Sequence, residues 1–287
     1  MEEAIYNGVG YARMSARWLD NKTFLLFDGQ GGFFSGSVQD PAHLTPYKWE
    51  HPRADEWDRG AAGYGVRTEG ASLLAEKDGE TWAIGLSENR NIVWGGTMMR
   101  NEFGFEKGWE WAPDGLKVAF YWKDQSRVTD FPLLNIKTRT GELEQLKYPM
   151  NGMASELLKV GVYDFLTRSI TWLDVTDFSE ERYITNLAWS KDSRFVYAQV
   201  LNREQEEMHL NQYSAANGSF VQTLLTEKSD AWVEPLNPVW PVGDGLLYRT
   251  DSRDGYRNLY LVDAKGIRRL TDVDADVEYV WNDGKYL

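Results

Sequence analysis

Two hairpins in succession, four strands in all, recur along this chain, and that repeat limits the fold more than any other feature. Its clearest copy runs from Tyr183 to Glu227. There Leu187-Ala188-Trp189 meets the polar turn Ser190-Lys191-Asp192-Ser193 and the apolar run Phe195 to Leu201, and a second hairpin, His209 to Leu225, turns at Ala216-Asn217-Gly218. The next copy, Pro238 to Thr271, turns at Gly243-Asp244-Gly245 and again between Asp263 and Gly266. Parts of the pattern occupy Arg17 to Phe27, Trp109 to Trp122, Val160 to Leu173 and Val280 to Tyr286. Gly, Asn and Asp serve the turns because they tolerate positive φ or bond their own backbone, and the β-branched and aromatic runs between them suit a pleated surface. A four-stranded module recurring at about 40 to 50 residues is the sequence mark of a β-propeller. The expected fold class is all-β: an incomplete β-propeller of four-stranded antiparallel blades, with about five blades plus the start of another. A β-sandwich also spaces short strands evenly, but the double hairpin with Trp at one fixed place favours blades. A blade cannot bury both faces alone, so that Trp is expected between blades.

Two stretches break the repeat. Pro41 to Gly65 is rich in charge, Gly and aromatic residues and reads as a long loop or an eroded blade. Asp124 to Met153 inserts between the two hairpins of one blade, and a loop of that length in a compact domain is usually functional.

Charge and composition exclude several function classes. With 31 basic and 44 acidic residues the chain carries a net charge of −13, which repels nucleic acid and anionic lipid and favours cationic ligands. No run of eighteen apolar residues and no basic, apolar leader can be read, so neither a membrane span nor a signal peptide is expected. The absence of Cys removes disulfides and thiolate chemistry. No cofactor and no metal site is expected. Asp272-Val273-Asp274-Ala275-Asp276 imitates the start of a calcium loop, yet Val277 stands where Gly is needed, and alternation on a strand explains the run better. Gly29-Gln30-Gly31-Gly32 lacks the later Gly of a dinucleotide loop and reads as a turn. The residues His43, His51 and His209 read as structural or surface histidines.

Arg100 to Trp122 is the stretch on which function turns. It places one acid, Glu102, ahead of a strand, the turn Pro113-Asp114-Gly115 and a second strand, so a rigid hairpin carries a carboxylate at its mouth. Here the chain resembles the dipeptidyl peptidase IV branch of the prolyl oligopeptidase family, particularly its Bacteroidetes-type members. The resemblance rests on Arg100-Asn101-Glu102-Phe103-Gly104, Trp111-Ala112-Pro113-Asp114-Gly115, Ser126-Arg127-Val128-Thr129-Asp130-Phe131-Pro132 and Lys147-Tyr148-Pro149. It continues in order through Val160 to Asp164, Leu201-Asn202-Arg203-Glu204-Gln205, Leu210 to Tyr213 and Asp254 to Leu261, and covers Ala71 to Leu287.

The resemblance implies an eight-bladed propeller followed by an α/β-hydrolase domain, in a serine-type enzyme that removes dipeptides, or in some members tripeptides, from peptide N-termini, usually after Pro or Ala. An acid of the propeller binds the substrate's free amine. Many members use two adjacent Glu at the positions of Asn101 and Glu102; here Asn101 replaces the first, which leaves Glu102 as the amine anchor, with Asn101 and Glu106 the further candidates for substrate binding. Glu106 shares a face with Glu102 only if the segment is a helical turn. The resemblance also implies that the insertion 124–153 is an arm that helps form a homodimer, and that the protein is periplasmic or secreted. The partners expected are a peptide N-terminus, a hydrolase domain of the same polypeptide and a second copy; nucleic acid and a membrane span are not.

No catalytic residue is expected within 1–287. An α/β-hydrolase needs Gly-x-Ser-x-Gly at a strand-to-helix elbow, and Gly70-Ala71-Ser72 and Gly85-Leu86-Ser87 begin that pattern without completing it. Val277 to Leu287 begins another blade and stops after one turn, so the expectation is a fragment, a partial propeller with the hydrolase domain outside it and no activity alone. Two other functions stay open: a non-catalytic propeller that binds proteins, and a carbohydrate-active propeller with several acids converging on its channel.

Overall fold

The structure, a computed structural model, describes residues 15–18, 22–27, 33–47, 57–97, 103–104, 107–251 and 253–277. The chain divides into two units, Met1–Glu56 and Trp57–Leu287. The first holds one antiparallel sheet of β1 (Ser15–Trp18), β2 (Thr23–Phe27), β3 (Phe33–Ser37) and β4 (Asp40–Pro46), paired in chain order.

Among the described residues the second unit holds four larger sheets and one small one. β5 (Asp58–Arg59), β6 (Gly65–Glu69), β7 (Ser72–Lys77) and β8 (Glu80–Gly85) form the first sheet. β10 (Trp109–Trp111), β11 (Lys117–Asp124), β14 (Leu157–Asp164) and β15 (Ser169–Trp172) form the next, with β9 (Ile92–Trp94) added to the far end of β11. β16 (Tyr183–Trp189), β17 (Phe195–Leu201), β18 (Glu207–Ser214) and β19 (Phe220–Lys228) follow, then β20 (Trp240–Val242), β21 (Gly245–Thr250), β22 (Asn258–Asp263) and β23 (Gly266–Arg269). The fold is a β-propeller of four-stranded antiparallel blades, and among the described residues there is no helix. The predicted start of a further blade, Val280 to Tyr286, lies outside the described residues.

Burial explains why each strand carries the residues it does. Every position of β16 is buried, whereas β15 and β23 are largely open and the first half of β19 is exposed. An inner or middle strand is covered on both faces by neighbouring blades and reads as a continuous apolar run; an outer strand is not. The core accordingly lies in layers between blades. Val66, Leu73 and Ile84 of one blade meet Val118, Phe120 and Tyr163 of the next. Tyr121, Val160 and Val162 meet Ile184, Val196 and Tyr213. Leu201, Met208 and Leu210 meet Val239, Leu246 and Tyr248. Aromatic rings tie the first of these layers, with Phe165 stacked 4.5 Å from Tyr64 and 5.3 Å from Trp111. Gly161 leaves room for Phe120, whose Cζ would stand 2.5 Å from an added Cβ.

The structure adjusts three sequence expectations. Of Pro41 to Gly65, the described parts hold most of β4, the two-residue β5 and the first residue of β6, and 48–56 lies outside the described residues. Trp189 is buried between blades as expected, but Trp240 keeps 36% of its exposure, because it begins a three-residue strand with little to cover it. Asp272 to Asp276 is not a strand. Asp276 instead accepts the Arg257 N–H at 2.8 Å and Val277 N donates to the Arg257 carbonyl at 2.9 Å, so this run is tied to the β21–β22 loop.

The insertion forms its own two-stranded sheet, β12 (Asp130–Asn135) with β13 (Glu142–Lys147), while β11 and β14 pair directly beneath it. Antiparallel order puts the β11–β14 insertion, the β17–β18 and β21–β22 loops, and the connectors entering β10, β16 and β20 at one end of the blades. Bonds among them bear this out: Arg127 reaches Glu181 at 3.1 Å, and Val233 N donates to Gln205 O at 2.6 Å.

Candidate functional site

Glu102, Asn101 and Glu106 lie outside the described residues. The residues on either side of Glu102 and Asn101 are described as far as Thr97 and from Phe103, and they belong to the connector that enters β10.

Phe103 is 3% exposed, and its ring lies 5.3 Å from that of Tyr183 within the core shared by the β16–β19 and β20–β23 blades. Its carbonyl accepts Asn186 Nδ2 at 3.3 Å, and the same amide donates to the Pro235 carbonyl. Asn186 is 2% exposed and holds a φ of 51°, at the register shift of β16 between Thr185 and Ala188. A left-handed residue inside a strand turns its side chain out of the ladder's alternation, and Asn tolerates that conformation better than most. The result is a single amide that joins the connectors entering β10 and β20. Gly104, at φ 76°, passes so near Leu236 that an added Cβ would stand 2.2 Å from the Leu236 carbonyl oxygen.

Charge gathers beside this point. Lys107 pairs with Asp58 of β5 at 3.0 Å, and Asp58 also accepts the indole N–H groups of Trp109 at 2.7 Å and Trp111 at 2.9 Å. Loss of hydration alone would raise the Asp58 pKa, but the hydrogen bonds from Trp109 and Lys107, the Lys107 charge and the Trp111 bond together hold it below the usual 3.8. Glu110 behaves in the opposite sense. It retains solvent exposure along the inner strand β10, yet the walls around it strip enough hydration to raise its carboxyl pKa, against the pull of Lys107 and with the help of Asp58. A cavity of about 70 Å³ lies here, lined by Lys107, Trp109, Glu110, Tyr121, Asn186 and Pro238. Burial pushes the Tyr121 hydroxyl far above its ordinary pKa, so it stays protonated. This arrangement can present a carboxylate to a small cationic group, with an ammonium close by to limit how much charge it accumulates.

Among the described residues no group of three or more His, Asp or Glu is placed to hold a metal ion. His209, read from sequence as a structural or surface histidine, bonds Asp177 at 2.6 Å through Nδ1 and Glu207 at 2.9 Å through Nε2. Asp58, Glu110 and Asn186 belong to no functional motif in the sequence. Asp58 stands in a stretch with no strand pattern, and a left-handed Asn inside an apolar strand leaves no local signature. The two Trp flanking Glu110 were legible, since alternation puts them on one face and Glu110 on the other.

Comparison with known proteins covers most of the second unit. A model of the dipeptidyl peptidase IV N-terminal region matches residues 75–284. Over 142 residues, 44% of the chain, it is 27% identical to an Aspergillus clavatus protein named as a dipeptidyl-aminopeptidase B, and the match spans 15% of that protein. A crystal structure from Bacteroides ovatus, described as a dipeptidyl aminopeptidase IV, superposes with a TM-score of 0.68 at 30% identity over 95% of this chain and 42% of its own. Porphyromonas gingivalis dipeptidyl peptidase 4 shares the fold, with a TM-score of 0.69 at 17% identity over 92% of this chain and 38% of its own. The chain therefore spans less than half the length of each of these proteins. Among the described residues no helix is long and apolar enough to cross a membrane. By the extent of the family match, the chain belongs to the dipeptidyl peptidase IV N-terminal region family.

Proposed function

We propose that this chain is the substrate-selecting propeller of a serine-type exopeptidase that releases dipeptides, or tripeptides, from free N-termini, typically after Pro or Ala. Glu102 is its amine anchor, and a hydrolase domain of the same polypeptide supplies the nucleophile. The observation that carries this reading is the fixing of Phe103: the residue that follows Glu102 is buried in the core between two blades and bonded to Asn186.

The mechanism follows from elementary electrostatics. A peptide's terminal ammonium is strongly hydrated, so a carboxylate captures it best where water is thinned. A charge-assisted hydrogen bond is about twice as strong as a neutral one and gains further as the local dielectric falls. A carboxylate at a set distance from a nucleophile then acts as a ruler, bringing the bond two or three residues along into reach and converting binding into orientation. Asn101, where many members carry a second acid, can accept a hydrogen bond from the ammonium through its side-chain oxygen but offers no charge. The net charge of −13 supports the same reading by drawing cationic N-termini toward the protein.

In the full-length enzyme, Glu102→Gln should lower kcat/KM for free-amine Xaa-Pro substrates by well over tenfold, a loss of more than ~1.4 kcal/mol. Kinetics indistinguishable from those of the parent enzyme would remove Glu102 from substrate binding. The assignment to the periplasm or cell exterior is tested by fractionating cells that express the full reading frame, and a cytosolic enzyme would overturn it.

A further inference from the structure

The cavity of about 70 Å³ between β10 and β16 gathers oxygen atoms that the fold itself does not use. Asn186 lines it and is 2% exposed. Its Nδ2 donates to the carbonyls of Phe103 and Pro235, so two acceptors fix which way the amide faces. Oδ1 is thereby turned from both, and among the described residues it has no hydrogen-bond partner. Buried acceptors are seldom left unmet in a folded protein, because each has given up its bonds to water.

Glu110 supplies the second oxygen group. Its backbone carbonyl accepts Trp189 and its strand pairs it with Ala119, whereas its carboxylate makes no hydrogen bond or ion pair among the described residues. Lys107 also lines the cavity, but its ammonium is engaged with Asp58 at 3.0 Å. Asp58 and Glu110 bring two negative charges and Lys107 one positive, so the group is left with a single net negative charge, which one monovalent cation balances. A divalent ion takes a fuller set of carboxylates, and among the described residues no group of three or more His, Asp or Glu stands ready for one. Tyr121, kept protonated by burial, adds a neutral hydroxyl oxygen to the lining. The volume suits an ion with one or two waters, a water's share of the liquid being about 30 Å³.

We propose that this cavity is a binding site for one monovalent metal cation, sodium or potassium, held by the Glu110 carboxylate and the Asn186 side-chain oxygen, with the Tyr121 hydroxyl as a further donor. Amide, hydroxyl and carboxylate oxygens replace the ion's hydration shell, as backbone carbonyls do in a potassium filter. The ion joins β10 to β16, the same inner strands of consecutive blades that the Trp189 bond to the Glu110 carbonyl links. It stabilises the stacked blades over separated ones, since anything bound only by the folded state shifts unfolding by mass action. This site does not depend on the amine-anchor reading.

The test melts the full-length enzyme in sodium, potassium or choline chloride at one ionic strength and mildly alkaline pH, which ionises Glu110 despite its raised pKa. Choline carries the same charge but is too bulky for the cavity. The expected result is a rise in melting temperature on the order of 2 °C in one or both alkali salts over choline, saturating with concentration as a single site does. The alkali ion with the larger rise at equal concentration is the preferred occupant. Glu110→Gln keeps the shape and removes the charge, and should abolish the increment while melting in choline no lower than the parent, because no uncompensated charge is left. Asn186→Gly, which suits the left-handed backbone and removes the oxygen, should reduce the increment and serves if the Gln variant does not fold. Equal melting in the three salts overturns the inference, and so does an increment that survives Glu110→Gln or, where that variant does not fold, Asn186→Gly.

Discussion

Trp189 of β16 donates its indole N–H to the backbone carbonyl of Glu110 of β10 at 3.0 Å, bonding the inner strands of two consecutive blades. Trp189 is 4% exposed, so the bond is made inside the inter-blade layer, where an unmet carbonyl would be penalised. Trp189→Phe removes the donor and part of the packing, and should destabilise the propeller by about 1–3 kcal/mol in urea unfolding. Trp240→Phe, at an exposed strand end, should stay within ~0.5 kcal/mol. Equal effects at the two positions would show that the inter-blade bond contributes nothing.

Among the described residues Glu227 is the most enclosed charge, its side chain 1% exposed between the β16–β19 and β20–β23 blades. It accepts the Tyr248 hydroxyl at 2.9 Å, the Thr250 hydroxyl at 2.7 Å and Arg253 Nε at 3.0 Å. Burial first, and then the neighbouring Glu227, push the Tyr248 pKa well above its usual value, so the phenol remains a donor. Glu227→Ala removes the acceptor of the buried Tyr248 and Thr250 hydroxyls and the partner of Arg253, and should cost about 3–5 kcal/mol, read as a shift of the denaturation midpoint. A cost below ~1 kcal/mol would mean that water replaces the carboxylate.

The Asp58 cluster predicts a pH dependence of known sign. Its folded pKa lies below the unfolded value of 3.8, so its stabilising contribution is complete above that value and is lost as the pH falls through the lower, folded one. Asp58→Asn cannot ionise. The difference in melting temperature between the parent and this variant should be widest near neutral pH and should narrow once the pH drops below 3.8. A difference that stays constant across acid titration would show that Asp58 acts through shape alone.

The arm offers apolar surface without cover. Ile136 is 81% exposed, Leu143 71% and Leu134 62%, on a two-stranded sheet that would be marginal by itself. If the arm joins two copies, Ile136→Asp with Leu143→Asp should turn a dimer into a monomer in sedimentation while leaving the monomer's unfolding midpoint within ~0.5 kcal/mol. A dimer that survives both changes would place its interface elsewhere.

Much of the fold was written locally. The Asn217-Gly218 turn, the Ser190 to Ser193 turn and the runs around Tyr197 and Tyr213 marked one blade, because turn chemistry and strand alternation act between near neighbours in the chain. Asp272 to Asp276 shows where that logic stops: its alternation suits a strand, but the Asp276 carboxylate finds the Arg257 N–H and ties the run to a loop instead.

The amino-acid sequence by itself determined an all-β chain of repeating four-stranded modules, an insertion within one of them, an acidic surface and the resemblance that singles out Glu102. Only the tertiary structure decided that Asp58 holds two indoles and a lysine, that Lys123 grips Thr97 with Glu156 beside it, and that Asn186 joins Phe103 to Pro235. The physical reason is range. Strand and turn preferences are settled within a few residues, whereas these bonds link groups separated by tens of positions and exist only once blades have stacked and driven water from between them.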